Sequence, residues 1–187
     1  HQSLENLKNN FPTEDIEESF NTKGSEAYIA EIDGERVGGT IVVIDDTTGY
    51  NSLHLLYVKS DAQNTGNGFK IWKAIEELHP ETRIWETHTP YCDKRNIHFY
   101  VNRCGFKIVE FFNPKHKDPH QISETAGNIP KENNYFFRFE KEMKQPDFNF
   151  HFNHNIESFR CDNHHSGLHH GSSAHYIRLD FSWIGAG

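Results

Sequence analysis

Hydrophobic and polar positions divide the chain into short runs separated by turn residues. Ala27 to Ile32 and Arg36 to Ile44 are apolar-rich runs joined by Asp33-Gly34, a dipeptide suited to a tight two-residue turn, so they predict a β-hairpin. Asp45 to Asn51, with Gly49 among polar residues, makes the next turn, and Leu53-His54-Leu55-Leu56-Tyr57-Val58 follows as a third strand. From Gly66 the period lengthens: Phe69, Ile71, Trp72, Ile75 and Leu78 mark one face of a helix that Pro80 stops. Trp72 is read as a core residue, because a large apolar side chain at helical spacing packs inward. Arg83 to Thr89 reads as a strand, Lys94 to Arg103 as a helix closed by Gly105, and Phe106 to Phe112 as a strand. In the last strand, Asn134 to Met143, Tyr135, Phe137 and Phe139 alternate with polar neighbours. Ahead of the hairpin, Leu4, Leu7 and Phe11, then Ile16 and Phe20 beyond Pro12, predict two short amphipathic helices covering a sheet face. The pattern is that of a mixed α/β domain over residues 1–143, followed by a tail, 144–187, without regular hydrophobic period.

The third strand runs straight into Gln63-Asn64-Thr65-Gly66-Asn67-Gly68-Phe69 and then into the helix. Glycines at 66 and 68 let successive main-chain N–H groups turn toward one point, and the positive end of the helix reinforces them, which makes an anion cradle sized for a diphosphate. Read as Q-x-x-G-x-G after L-x-V, with Cys104-Gly105-Phe106 downstream, this stretch resembles the acetyl-coenzyme A signature of the GNAT superfamily of N-acetyltransferases. The resemblance covers residues 26 to 143. It implies a central mixed sheet splayed between two strands and flanked by helices. No strand is predicted before the hairpin, so the family's first strand has no candidate here; either an edge strand is lost or, as the missing Met suggests, the chain is N-terminally trimmed.

The resemblance also implies a chemistry: direct transfer of an acetyl group from acetyl-coenzyme A to a primary amine of a small molecule or peptide, without a covalent enzyme intermediate. The donor must be fixed, the amine deprotonated, the oxyanion stabilised and the thiolate protonated. Leu56, Tyr57 and Val58 would line the splay and bond the pantetheine arm through their backbone. Gln63, Asn64, Thr65, Gly66, Asn67, Gly68 and Phe69 would hold the diphosphate, and Asn96 resembles the helix asparagine that touches the cofactor. His54 is the first candidate base, expected by strand alternation on the same face as Leu56 and Val58, and its ordinary pKa of about 6.5 suits proton removal near neutrality. Glu86 and His88 share one face of the neighbouring strand and could relay a proton through water. Tyr100 is the candidate acid. The family's tyrosine position falls on Val101, about 100° of helix away, so the use of Tyr100 calls for a local shift in the helix or a bridging water. The polar loop from Pro114 to Glu132 is long enough to border the acceptor and shape amine specificity.

Composition narrows the alternatives. A net charge of -8 argues against a nucleic-acid partner, which would require clustered Lys and Arg, and tolerates a cationic amine. No apolar run is long enough to span a membrane, and no signal peptide is evident at the start. The odd set Cys92, Cys104 and Cys161 fits a reducing cytoplasm, and without a Cys-His frame it gives no thiol nucleophile. Oligomeric state stays open, a homodimer among the options. In the tail, His151, His154, His164, His165, His169, His170 and His175 accompany Cys161 and Asp162, a donor set that suits zinc or nickel, but their spacing matches no zinc motif and no metal site is assigned. Two other functions remain: a non-catalytic acetyl-coenzyme A sensor, and a metal-binding protein acting through this tail.

Overall fold

The computed structural model describes residues 19–119 and 135–144, and by backbone alone 156–160 and 173–179. The helices expected ahead of Phe20, and the acceptor loop from residue 120 onward, lie outside the described residues. β1 (Ser25–Ile32) and β2 (Glu35–Val43) form the expected hairpin. Asp33 and Gly34 take φ of 53° and 80°, left-handed values that a two-residue turn between twisted strands needs. β3 (Tyr50–Val58) runs antiparallel to β2, and α1 (Asn67–Leu78) leads to β4 (Ile84–Pro90). α2 (Lys94–His98) continues as a π-helical turn, Phe99–Cys104, before β5 (Lys107–Phe112) and β6 (Phe136–Glu142).

The tail is less irregular than its composition suggests. It contributes β7 (Ile156–Arg160) and β8 (Ser173–Leu179), giving the sheet order β5-β6-β4-β3-β2-β1-β8-β7. β8 lies parallel to β1 from Glu26↔Ser173 to Glu31↔Arg178, and β7 pairs antiparallel with β8. Among the described residues, β8 thus pairs the side of β1 away from β2, whose N–H and C=O groups would otherwise form a sheet edge. Main-chain pairing requires no hydrophobic period, which is why the sequence pattern did not signal it.

One face of the sheet packs against α1. Trp72, Ile71, Ile75, Trp85, Phe106 and Phe139 are fully or nearly fully buried there, with Trp72 edge-on to Trp85 at 5.3 Å and 5.2 Å from Phe106 between ring centroids. Each such side chain contributes about 2–3 kcal/mol by leaving water. Trp72 is thus core, as its spacing indicated. The opposite face carries a smaller cluster of Phe20, Ala27 and Ile41, against which Leu55 and Tyr57 pack.

Two irregularities prepare the site. β3 and β4 are parallel and pair only at Tyr50↔Ile84, Asn51↔Trp85 and Ser52↔Glu86, after which they part. At the same point β3 carries a bulge: Ile41 pairs with Leu55 and Val42 with Leu53, leaving His54 as the extra residue. The expectation that His54 shares a face with Leu56 and Val58 is therefore corrected. Leu53, Leu56 and Val58 pack on the α1 face, and the bulge leaves exposed His54 on the opposite face with Leu55.

Candidate active site

The glycine turn takes the form the sequence implied. After a short 3-10 turn at Ser60–Ala62, Asn64 and Gly66 adopt positive φ of 62° and 81°, and Gly66 becomes the N-cap of α1. A Cβ at Gly66 would meet nothing within 4 Å, so the backbone conformation requires glycine there, not lack of space. At Gly68 a Cβ would stand 3.4 Å from Val58 Cγ2 and 3.6 Å from the Phe99 ring, so a longer side chain would fill the space between β3 and the π turn. No side chain caps α1 and no acidic residue occupies its first turn, so the N–H groups that a helix start leaves unpaired stay unneutralised. That is the arrangement a diphosphate fits.

The side chains around the turn brace it. Gln63 Nε2 donates to the Val58 carbonyl at 3.1 Å, Thr65 Oγ1 and Asn67 Nδ2 donate to the Ala62 carbonyl at 2.7 and 3.1 Å, and Phe69 lies beneath the Arg103 guanidinium at 5.5 Å. Asn96 is exposed and uses its amide within the α2 entrance, where its backbone N–H and Nδ2 both donate to the Asp93 carboxylate. Sequence reasoning missed Arg95, whose guanidinium donates to Gln63 Oε1 at 3.1 Å and brings a cation beside the cradle. A basic residue opening the helix after β4 was its only trace.

Beyond Ser52 and Glu86 the gap between β3 and β4 is bordered by Leu56, Tyr57 and Val58 on one side. Thr87 Oγ1 donates to the Leu53 carbonyl at 3.0 Å where the gap begins. Tyr100 reaches the same point from the α1 face. Burial against Phe99, Phe106 and Phe139 pushes its pKa up to about 12, with Thr87 opposing the shift. The π turn explains the one-residue offset. An i→i+5 turn carries one residue more than an α turn, and it delivers Tyr100 to the sheet while Val101 is half-buried.

On the opposite face the register assembles a row of charge. Glu110 pairs with Arg138 across β5–β6, Arg138 with His88 across β6–β4, and the register of β3 and β4, continued past its last pair, sets His54 across the gap from His88. Glu86 and Glu140 form the adjoining row. Arg138 ties the rows together: it bonds Glu86 at 3.1 Å, Glu110 at 3.0 Å, and Glu140. Burial alone would lower the Arg138 pKa, but these three carboxylates hold it above the ordinary value. Tyr50 also donates to Glu86, at 3.2 Å, and to Glu140. One oxygen of Glu86 is thus occupied by Arg138 and Tyr50.

Both imidazoles of the row are biased toward the neutral form. Loss of hydration pushes the His54 pKa down, with His88 adding to the effect and Glu86 opposing it. Desolvation likewise lowers His88, against the pull of Glu86 and Asp118. Cys104 is buried with its thiol pushed up to about 12, chiefly by desolvation, so it is an inert core residue, while Cys92 is exposed. Among the described residues no cluster of His, Cys, Asp and Glu could hold a metal, and no helix is long and apolar enough to cross a membrane. Apart from His175 on β8, the histidines of the tail lie outside the described residues.

Comparison with known proteins agrees with this geometry. Residues 2–106 match the Acetyltransferase (GNAT) family. The uncharacterised protein YrkN of Bacillus subtilis (strain 168) is 48% identical over 135 residues, 71% of this chain and 73% of its own length. A GNAT family acetyltransferase from Elizabethkingia anophelis, solved with acetyl-CoA bound, superposes with a TM-score of 0.53 at 18% identity, over 71% of this chain and 84% of that one. The splayed sheet, the uncapped glycine turn and the matched span converge: this chain belongs to the GNAT acetyltransferase family.

Proposed function

We propose that this protein is an acetyl-coenzyme A-dependent N-acetyltransferase that acetylates a primary amine of a small molecule or peptide by direct attack in a ternary complex. One observation carries the reading. The opening between β3 and β4 has an anion cradle beyond the end of β3, a phenol on one face of the sheet, and imidazoles with carboxylates on the other. A thioester lying in that opening would be approached by the amine from the His54 and Glu86 side, and its sulfur could collect a proton from the Tyr100 side. Family membership and the acetyl-CoA bound to the Elizabethkingia protein support the choice of donor.

The roles follow from the chemistry. Main-chain N–H groups from Gln63 to Phe69 bind the diphosphate, and the edge of Leu56, Tyr57 and Val58 aligns the arm. The ammonium proton leaves through the imidazole and carboxylate group to which His54 and Glu86 belong. Burial keeps Tyr100 protonated at neutral pH, the form an acid must have to quench the leaving thiolate. Asn96 would have to release Asp93 to reach the donor.

A thiol-release screen with acetyl-coenzyme A against polyamines, aminoglycosides, amino acids and peptides tests the reading. Turnover with at least one amine is expected. A chain that binds acetyl-coenzyme A but releases no coenzyme A with any of them would be a sensor, a second reading favoured by the burial of Tyr100 in the core.

A further inference from the structure

The acetyltransferase reading leaves open which atom takes the amine proton. Of the groups at the mouth, Glu86 has one oxygen committed to Arg138 and Tyr50, and His54 makes no hydrogen bond among the described residues. His88 likewise makes no hydrogen bond among the described residues, but carboxylates stand near both its ring nitrogens and an aromatic ring covers one face. Its Nε2 lies 3.5 Å from Asp118 Oδ2 and its Nδ1 4.0 Å from Glu86 Oε1, while the ring stacks on Phe112 at 6.1 Å between centroids with an interplanar angle of 19°. Phe112 is in turn stacked on His116, which bonds Glu110 at 2.8 Å, so the ring's platform is fixed as well.

We propose that His88 is the group that accepts the proton of the incoming ammonium, and that Asp118, from the segment after β5, is a positioning residue that orients the imidazole and stabilises its charged form. The proposal rests on the acetyltransferase reading. The atoms balance. The substrate R–NH3+ gives one proton to His88 and becomes a nucleophile; its nitrogen attacks the thioester carbon, the C–S bond breaks, and the second nitrogen proton replaces the one that Tyr100 gives to the thiolate. Products are the acetamide and free coenzyme A, and His88 returns its proton to solvent. Two carboxylates around one imidazole serve this cycle twice: they attract a cationic amine, and they stabilise the imidazolium formed as it loses its proton.

Among the described residues, the groups facing His88 are Glu86 on its own strand, Arg138 on β6, Glu110 on β5, Asp118 beyond β5 and His54 across the gap. Asp118→Asn removes one negative charge from that set and leaves Arg138 in place, so the imidazole becomes harder to protonate. Two measurements test this: the pH profile of kcat/KM, and the NMR titration of the His88 ring in the whole chain. With Asp118→Asn, both the acid limb of the profile and the His88 titration should move to lower pH by about 0.5–1 unit. His88→Gln should lower kcat/KM by about 100-fold and abolish that limb, whereas His54→Gln should keep the limb and lower kcat/KM by less. A limb that survives in His88→Gln, or that disappears in His54→Gln, overturns the assignment. So does a His88 titration unmoved by Asp118→Asn. Acetyl-coenzyme A binding without turnover in the parent chain would sink the acetyltransferase reading itself; turnover with an unmoved limb would sink His88 alone.

Discussion

The two halves of the site are built from different materials. The cradle at residues 63–69 is main chain, shaped by two positive φ values and an uncapped helix start, and its side chains serve to brace it. The mouth on the opposite side of the gap is side chain throughout, drawn from β3, β4, β5, β6 and the segment after β5. A cradle of N–H groups reads only charge and shape, so it suits a donor that does not change. A mouth of side chains can be retuned to an acceptor by substitutions that leave the cradle's main chain in place.

The strongest way to break that contrast is at the glycines. Gly66→Val forces a β-branched residue into φ of 81°, and Gly68→Val fills the space beside Val58 and Phe99. The double variant should lose main-chain bonds to the diphosphate worth about 3–5 kcal/mol, so coenzyme A affinity measured by calorimetry should fall by at least about 100-fold. Unchanged affinity would mean that the donor binds elsewhere. Tyr100→Phe addresses the phenol. It should lower kcat by about 100-fold while the Kd for acetyl-coenzyme A stays within about twofold, because the ring and its packing remain. A loss confined to thermal stability would make Tyr100 a core residue only.

The mouth should be sensitive where the cradle is not. Arg138→Met leaves Glu86, Glu110 and Glu140 facing one another without their shared cation, and should cost about 2 kcal/mol in denaturant unfolding with little change in coenzyme A affinity. The pH dependence has a definite sign. The Glu110 pKa is held below its ordinary value, first by its bond to His116 and then by Arg138. A depressed carboxylate supports the fold above its unfolded pKa and loses that support as pH falls through the folded value, so the Arg138→Met deficit should shrink on acidification below about pH 4.5.

How much of this could be read beforehand follows from the same division. The cradle was legible because a positive φ before a helix selects glycine locally, and the Asp33-Gly34 hairpin was legible for the same reason. Trp72 was legible as core from spacing alone. His54 was assigned to the wrong face because a one-residue bulge, opposite Ile41 and Val42, has no local signature among apolar strand residues. The row of Glu110, Arg138 and His88 needed the register of three strands distant in sequence, and Asp118 needed the course of a loop. Tyr100 stood one residue from its expected place until the π turn supplied the missing rotation. The β8 pairing was hidden because main-chain hydrogen bonds leave little imprint on residue choice.

The smallest expected effect tests whether the cradle is truly a main-chain device. Arg95 is the side-chain cation bonded to it, through Gln63 Oε1, and α2 places it at the exposed rim. If the N–H groups and the helix start carry diphosphate binding, Arg95→Gln removes only a solvent-screened attraction, and coenzyme A affinity should fall about threefold at low salt. The difference should vanish near 1 M salt, where the screening length is about 3 Å. Arg95 also restrains Gln63, whose Nε2 holds the Val58 carbonyl at the edge of the gap, so a second route of influence runs from guanidinium to amide to strand. The two routes separate by salt: loss of charge is erased by it, whereas a loosened Gln63 is not. A salt-independent drop larger than about tenfold would place the binding energy in side chains after all, and the contrast between a generic cradle and a specific mouth would not hold.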